Sequence, residues 1–320
     1  MTVFINCLAL LILLCLLGVA ADIVVRNIKR LTLILELKLF ALGSLLGLIA
    51  TLPELAVGIN ATINNVSTIS IGNLLGGILF IFGVVLGVGL ILNKKIETDG
   101  KLKSILPKAM IIFLPIILGL DGKYGFWDGV IIIVSYIGII FYIARSNLKY
   151  LYKTDREKIK HYSTARVVFL SIVGLVLVIL ISSWALMITI DILKQFKVSE
   201  LALGIVIFSI GTNLPEIMII AVSWYKKIPE LSLSSLMGSA LANIFVLGIL
   251  AVIKPIEFVA DYSFAILGTF LGLMIIMVTI FYCSDKKMDR QEGAVLFCVY
   301  ILFLIVNFVI IKLQIVPGFS

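Results

Sequence analysis

Long apolar runs separated by short polar clusters dominate this chain, and their length predicts helices that cross a bilayer. A hydrocarbon core of roughly 30 Å takes about 20 apolar residues to span as a helix. Runs of that order lie at about 3 to 24, 33 to 59, 69 to 92, 105 to 120, 126 to 145, 167 to 193, 199 to 224, 231 to 253, 262 to 283 and 291 to 313, which makes ten predicted helices. The polar clusters between them also alternate in charge. Of the 26 Lys and Arg, 20 follow odd-numbered helices, including Arg26, Lys29 and Arg30 and the run from Arg145 to Arg166. Only Lys123, Lys194, Lys197, Lys254 and Lys312 fall on the other side. Basic residues stay cytoplasmic, so both termini are expected outside the cytoplasm.

Composition agrees with the pattern. The 320 residues are 62% hydrophobic and 14% charged, with a mean hydropathy of +1.21, whereas soluble domains carry about 25% charged residues. The chain therefore reads as an integral membrane protein. Its net charge of +8 expresses topology and not affinity for nucleic acid. The first run lacks a basic leading region and precedes the basic cluster, so it is expected to be a first transmembrane helix and not a cleaved signal peptide. Cys7, Cys15, Cys283 and Cys298 fall within predicted helices and read as small apolar packing residues. The single histidine, His161, sits among Tyr150, Lys153, Arg156, Lys158 and Lys160, in a loop expected to lie as a basic face against lipid headgroups. It offers no catalytic dyad, and the chain is not expected to be an enzyme. That loop, 146 to 166, is too short for a folded regulatory domain, which needs about 50 residues. Asn60-Ala61-Thr62 and Asn65-Val66-Ser67 match glycosylation sequons on a predicted outer loop.

An internal repeat organises the whole chain. At an offset of 162, Leu52-Pro53-Glu54 falls on Leu214-Pro215-Glu216, Ser70 on Ser232 and Gly76 on Gly238. Residues 1–145 and 167–320 each hold five predicted helices, joined by the basic loop 146–166. An odd number of helices forces the two copies to enter the membrane from opposite faces. The expected fold is all-α, with ten transmembrane helices arranged as two inverted five-helix repeats.

Each repeat places a glutamate beside a proline inside an apolar run, where a carboxylate is costly and marks an ion or proton pathway. On a continuous helix Thr212 and Asn213, four and three residues before Glu216, share its face. Pro215 lacks an N–H and disrupts the preceding turn, which frees carbonyl oxygens for a ligand. Several hard oxygens suit Ca²⁺ or Na⁺ rather than a soft transition metal. The next helix of each repeat is rich in small residues, Ser70 to Gly77 and Ser234 to Asn243, so that close packing can bring Ser239 and Asn243 up to Glu216.

These residues resemble the calcium/cation antiporter superfamily that includes the sodium/calcium exchangers. Its two alpha repeats each carry a motif like G-T-S-x-P-E, followed on the next helix by G-N-x-x-G-S and, four residues after that serine, an Asn or Asp. Here Gly211-Thr212-Asn213-Leu214-Pro215-Glu216 precedes Gly238-Ser239 and Asn243, while Leu52-Pro53-Glu54 precedes Gly72-Asn73-Leu74-Leu75-Gly76. Leu120-Asp121-Gly122 and Trp127-Asp128-Gly129 look like the family's junction between helices four and five. The resemblance implies a secondary active antiporter exchanging Ca²⁺ for Na⁺ at a midplane site. Its central cation ligands would be Glu54 and Glu216, with Thr51 the surviving hydroxyl of the first repeat. Thr212, Ser239 and the Ser209 carbonyl would form a flanking sodium site, with Asn213 and Asn243 nearby. It further implies sliding of helices one and six during alternating access, no cofactor beyond the transported cations, no partner but the bilayer, a monomer, and residence in the plasma membrane.

The first repeat departs from that pattern. Ile49-Ala50-Thr51, Gly77 and Ile81 replace residues that would supply three further side-chain oxygens. A sodium site is therefore not expected on that flank. Two alternatives stay open: Ca²⁺/H⁺ antiport in the same fold, and a non-exchanging membrane scaffold.

Overall fold

The computed structural model describes residues 2–34, 51–146, 163–196, 201, 204–213, 216–217 and 229–315. The first half of the second predicted helix with Ala50, nearly all of the 146–166 loop with His161, and the Leu214-Pro215 pair lie outside the described residues.

The described chain is mostly helical, and its helices are best followed in order. They are α1 (Thr2–Ile34), α2 (Leu52–Ile63), α3 (Thr68–Asn93), α4 (Leu102–Leu118), α5 (Phe126–Ser146) and α6 (Thr164–Phe196). Then come α7, whose π-helical part Gly204–Phe208 runs into an α-helical turn Ser209–Thr212, α8 (Pro229–Ile253), α9 (Tyr262–Cys283) and α10 (Arg290–Ile315). Six helical stretches among the described residues are long and apolar enough to cross a membrane. Large apolar side chains such as Leu11, Met110, Phe141, Trp184 and Phe308 are exposed around the outside. A surface of that kind fits hydrocarbon and not water, and the molecule is a multi-pass integral membrane protein.

The first helix runs on well past its predicted end at residue 24. Arg26 pairs with Asp22 at 2.7 Å, and Arg30 donates to Asn27 Oδ1 at 3.3 Å. Hydropathy marks where lipid contact stops, whereas i,i+3 and i,i+4 polar pairs carry the helix beyond it. The basic cluster expected in a loop thus forms the last turns of α1. The cysteines also differ from expectation: Cys7, Cys15 and Cys298 are exposed on the apolar exterior and do not pack inside.

Two apolar clusters hold the helices together. The larger is built from α3, α4, α5, α8, α9 and α10. The smaller joins Leu10, Leu14 and Leu17 of α1 to Val178, Ile181 and Ala185 of α6, over Ala56, Val57 and Ala61 of α2. Two short antiparallel pairs fasten the loops. Strand β1 (Lys95–Glu97) pairs with β4 (Lys287–Asp289), and β2 (Lys123–Tyr124) with β3 (Ile256–Glu257). With two or three residues each, these strands carry no hydropathy period that the sequence could reveal.

The Asp128 motif has a structural task here. Its carboxylate accepts from the Gly125 N–H at 2.8 Å, at the start of α5. Gly129 meets Gly248 of α8 so closely that a Cβ would stand 2.6 Å from the Gly248 carbonyl oxygen. On the other side of the molecule Glu292 accepts from the Asp289 N–H at 2.8 Å, and Gly293 of α10 crosses Gly87 of α3.

Asn60 lies within α2 and ties it to α6. Its Nδ2 donates to Ser182 Oγ at 3.0 Å, and Ser183 Oγ donates to its Oδ1 at 2.8 Å. This side chain of a predicted sequon is therefore engaged inside the protein. Asn60→Leu is expected to lower stability by about 1 kcal/mol, read as a lower melting temperature in detergent, because polar bonds between membrane helices are worth roughly that much. Both serines keep their bonds to the Ile179 carbonyl, which holds the loss to that size.

Candidate cation-binding site

The backbone breaks at two matched places. Helix α2 begins at Leu52 with Pro53 in its first turn, where a missing N–H costs nothing. Thr51 before it has φ −89° and ψ 10°. Helix α7 ends at Thr212, and Asn213 after it has φ −87° and ψ 16°. Thr51 and Asn213 stand 162 positions apart. In each case the broken residue's carbonyl accepts from four residues on, Leu55 N–H at 3.0 Å and Ile217 N–H at 3.3 Å. Glu54 and Glu216 follow these breaks, and both are fully buried.

Packing brings α3 and α8 against the breaks. At the crossing of α3 and α7 a Cβ on Gly72 would stand 2.3 Å from the Leu201 carbonyl oxygen, and one on Gly204 would stand 2.3 Å from that of Ile69. Only glycine permits that approach, and the approach lets Thr212 Oγ1 reach Asn73 Oδ1 at 3.0 Å. The two glutamates lie within electrostatic reach of each other, with Thr212 beside Glu54 and Ser239 beside Glu216. Asn213 Nδ2 donates to the Ser209 carbonyl at 2.7 Å, and Asn243 Nδ2 to the Leu74 carbonyl at 3.4 Å. Ser209 Oγ donates back to the Ile205 carbonyl.

All the residues singled out from sequence, Thr51, Glu54, Ser209, Thr212, Asn213, Glu216, Ser239 and Asn243, are buried. They come from α2, α7 and α8, the two breaks and the helical turn at Glu216. Sequence reasoning left three side chains unassigned: Ser70 and Asn73 one turn apart on α3, and Tyr300 of α10, whose hydroxyl lies beside Ser209. The doubled small-residue stretch was the available signal for the first two. For Tyr300 there was none, since a lone tyrosine in an apolar helix has no motif.

The chemistry of the site lies in what these groups lack. Both oxygens of Glu54 and of Glu216, with Ser70 Oγ, Asn213 Oδ1, Ser239 Oγ and Asn243 Oδ1, are buried without a hydrogen-bond partner. A buried acceptor left unpaired costs about 1–3 kcal/mol and a charged one more. Oxygens of this kind have the hardness that suits a hard cation.

The family described as sodium/calcium exchanger protein matches residues 5–145 and 166–309. An uncharacterized membrane protein of Methanocaldococcus jannaschii is 25% identical over 272 residues, which span 82% of this chain and 85% of the relative. Among solved structures, the crystal structure of the H⁺/Ca²⁺ exchanger CAX superposes with a TM-score of 0.79 at 15% identity, over 97% of this chain and 85% of its own. The sodium-calcium exchanger NCX_Mj superposes with a TM-score of 0.66 at 21% identity, over 95% of this chain and 98% of its own. At those identities the two structures speak for the fold alone.

Proposed function

The chain belongs to the sodium/calcium exchanger protein family, and on that premise we propose that it is a secondary active antiporter that binds Ca²⁺ between Glu54 and Glu216 and exchanges it for Na⁺. The observation that carries this reading is the set of eight buried, unpartnered oxygens, four of them the two carboxylates' own. Two carboxylates with neutral oxygens suit a hard divalent cation that must also leave again. Thr51, Thr212, Ser209, Ser239, Asn213 and Asn243 complete the wall on this reading.

The architecture we propose is two inverted five-helix repeats, residues 1–145 and 167–320, around the basic loop 146–166. Several regularities support it. Thr51 and Asn213, at the two backbone breaks, are offset by the same 162 positions as Glu54 and Glu216. The Gly129/Gly248 crossing of α5 on α8 has a counterpart in the Gly293/Gly87 crossing of α10 on α3. Strand β1 of the first half pairs with β4, while its own counterpart β3 pairs with β2, a swap that an axis in the membrane plane produces. Alternating access would then come from sliding of α1 and α6, which share an apolar cluster largely apart from the main core. We place the protein in the plasma membrane, as the family resemblance implies, and both termini outside the cytoplasm, from the distribution of its basic residues.

One observation favours a second reading, with protons as the counter-ion. Gly77 and Ile81 line the first-repeat side of α3 without any side-chain oxygen. Uptake of radioactive Ca²⁺ into vesicles under imposed sodium or proton gradients tests both. Sodium-driven uptake is the expected result, and uptake driven by neither gradient overturns antiport and leaves the scaffold reading.

A further inference from the structure

We propose that Tyr300 of α10 is a positioning residue for the counter-ion: when the last turn of α7 holds sodium, the Tyr300 hydroxyl donates to Ser209 Oγ and keeps that turn in place. This rests on the exchange of Ca²⁺ for Na⁺ proposed above and deepens it, because it brings into the reaction a helix from which that reading takes no ligand.

The first ground is where the phenol is held. Gly76, Phe80 and Gly83 lie on successive turns of one face of α3. A Cβ on Gly83 would stand 2.4 Å from the Tyr300 Cβ and 2.9 Å from its Cγ, and the Phe80 ring meets the Tyr300 ring edge-on at 5.8 Å. Farther along the same face, a Cβ on Gly76 would stand 3.4 Å from Ser209 Cβ. The phenol therefore runs along α3 from Gly83 towards Gly76, and its hydroxyl ends beside Ser209 of α7. Phe303 packs against the same ring at 5.9 Å.

The second ground is what the hydroxyl lacks. Tyr300 is 2% exposed, and its hydroxyl is buried without a hydrogen-bond partner. An unpaired buried hydroxyl is costly, and for packing alone phenylalanine fills the same space without that cost. Ser209 Oγ gives its own hydrogen to the Ile205 carbonyl, so towards Tyr300 it can only accept and Tyr300 must donate. The Ser209 carbonyl in turn accepts from Asn213 Nδ2 at 2.7 Å, which carries a restraint on Ser209 to the break in the helix. The backbone points to the same pair. Among the described residues two segments are π-helical, Ile81–Leu86 in α3 and Gly204–Phe208 in α7. Tyr300 meets the first through Gly83 and reaches the residue that directly follows the second. Such turns inside α-helices occur frequently at functional sites.

The test is Tyr300→Phe in the purified full-length chain in sealed liposomes, with Ca²⁺ exchange followed over a range of Na⁺ and of Ca²⁺ concentrations. The half-saturating Na⁺ concentration is expected to rise by about 3- to 10-fold, the worth of one net hydrogen bond, while that for Ca²⁺ changes by less than about 2-fold. In detergent without Na⁺ the variant should melt at the wild-type temperature or higher, because an unpaired buried hydroxyl has gone. A purely structural tyrosine would give lower melting and equal changes for the two ions, and that result overturns the inference. Ser209→Ala removes the acceptor and keeps the carbonyl; adding Tyr300→Phe to it should raise the half-saturating Na⁺ concentration by less than about 2-fold further. Full multiplication of the two effects overturns the inference, and so does a Tyr300→Phe protein with wild-type Na⁺ dependence; in both cases sodium-driven exchange by the wild type still stands. No sodium-driven exchange by the wild type overturns the proposed exchange, and the inference falls with it.

Discussion

Replacing Glu216 with glutamine is expected to lower Ca²⁺ exchange at least ~100-fold, and Glu54→Gln to do the same. Each carboxylate is fully buried with neither oxygen hydrogen-bonded, so on the proposed reading a bound cation is what answers its charge. Removing one partner from a buried set of opposite charges costs about 3–5 kcal/mol, roughly two to nearly four orders of magnitude in affinity. The same substitutions should act on stability with the opposite sign. Without Ca²⁺, a neutral amide relieves part of the cost of burying two like charges side by side, and each variant should melt higher than the wild type in chelator. With Ca²⁺, the wild type should gain stability by binding and the variants should not. Melting in detergent with and without Ca²⁺ reads both signs. A Glu216→Gln protein that keeps the Ca²⁺-dependent rise in melting temperature would remove this residue from the site.

The second large effect is expected at the crossing of α3 and α7. Gly204→Val and Gly72→Val each put a side chain where the nearest atom is a backbone carbonyl oxygen of the opposite helix, 2.3 Å from the Cβ position. No rotamer change can clear backbone. Overpacking a well-filled interior costs about 1–3 kcal/mol or more, and separating α7 from α3 also breaks the 3.0 Å bond from Thr212 to Asn73. Loss of stability and of Ca²⁺ binding should therefore come together in these two variants. Gly138→Ala is the control. A Cβ there meets nothing within 4 Å, and since glycine in a helix interior is up to ~1 kcal/mol worse than alanine, this change should leave stability equal or higher. If Gly204→Val melts and binds like the wild type, the close crossing is not what positions Thr212.

Much of the site could be read before any fold was known, for one reason. A glutamate beside a proline inside an apolar run is costly, and its recurrence at an offset of 162 says that the cost is incurred twice at equivalent places. The backbone breaks at Thr51 and Asn213 are the local form of that recurrence. Ser239 and Asn243 were legible as well, since one turn of helix places them on one face. Asn73 was visible only as part of a small-residue stretch, and its bond to Thr212 spans 139 positions. The extension of α1 through Arg26 and Arg30 was hidden because hydropathy falls before the helix ends.

What the sequence by itself determined is therefore the class of molecule, a bundle of membrane helices, together with two carboxylates at an offset of 162. Hydropathy, charge and spacing are properties of segments, and they need no partner to be read. Which groups meet was decided by the tertiary structure alone. The glycines at positions 72 and 204 let two backbones touch, that contact sets Thr212 against Asn73, and Gly77 admits the amides of Asn213 and Asn243 where a side chain would stand. Each of these depends on distances between segments far apart in the chain. A one-residue absence such as Gly77 acquires meaning only once the opposite wall is known.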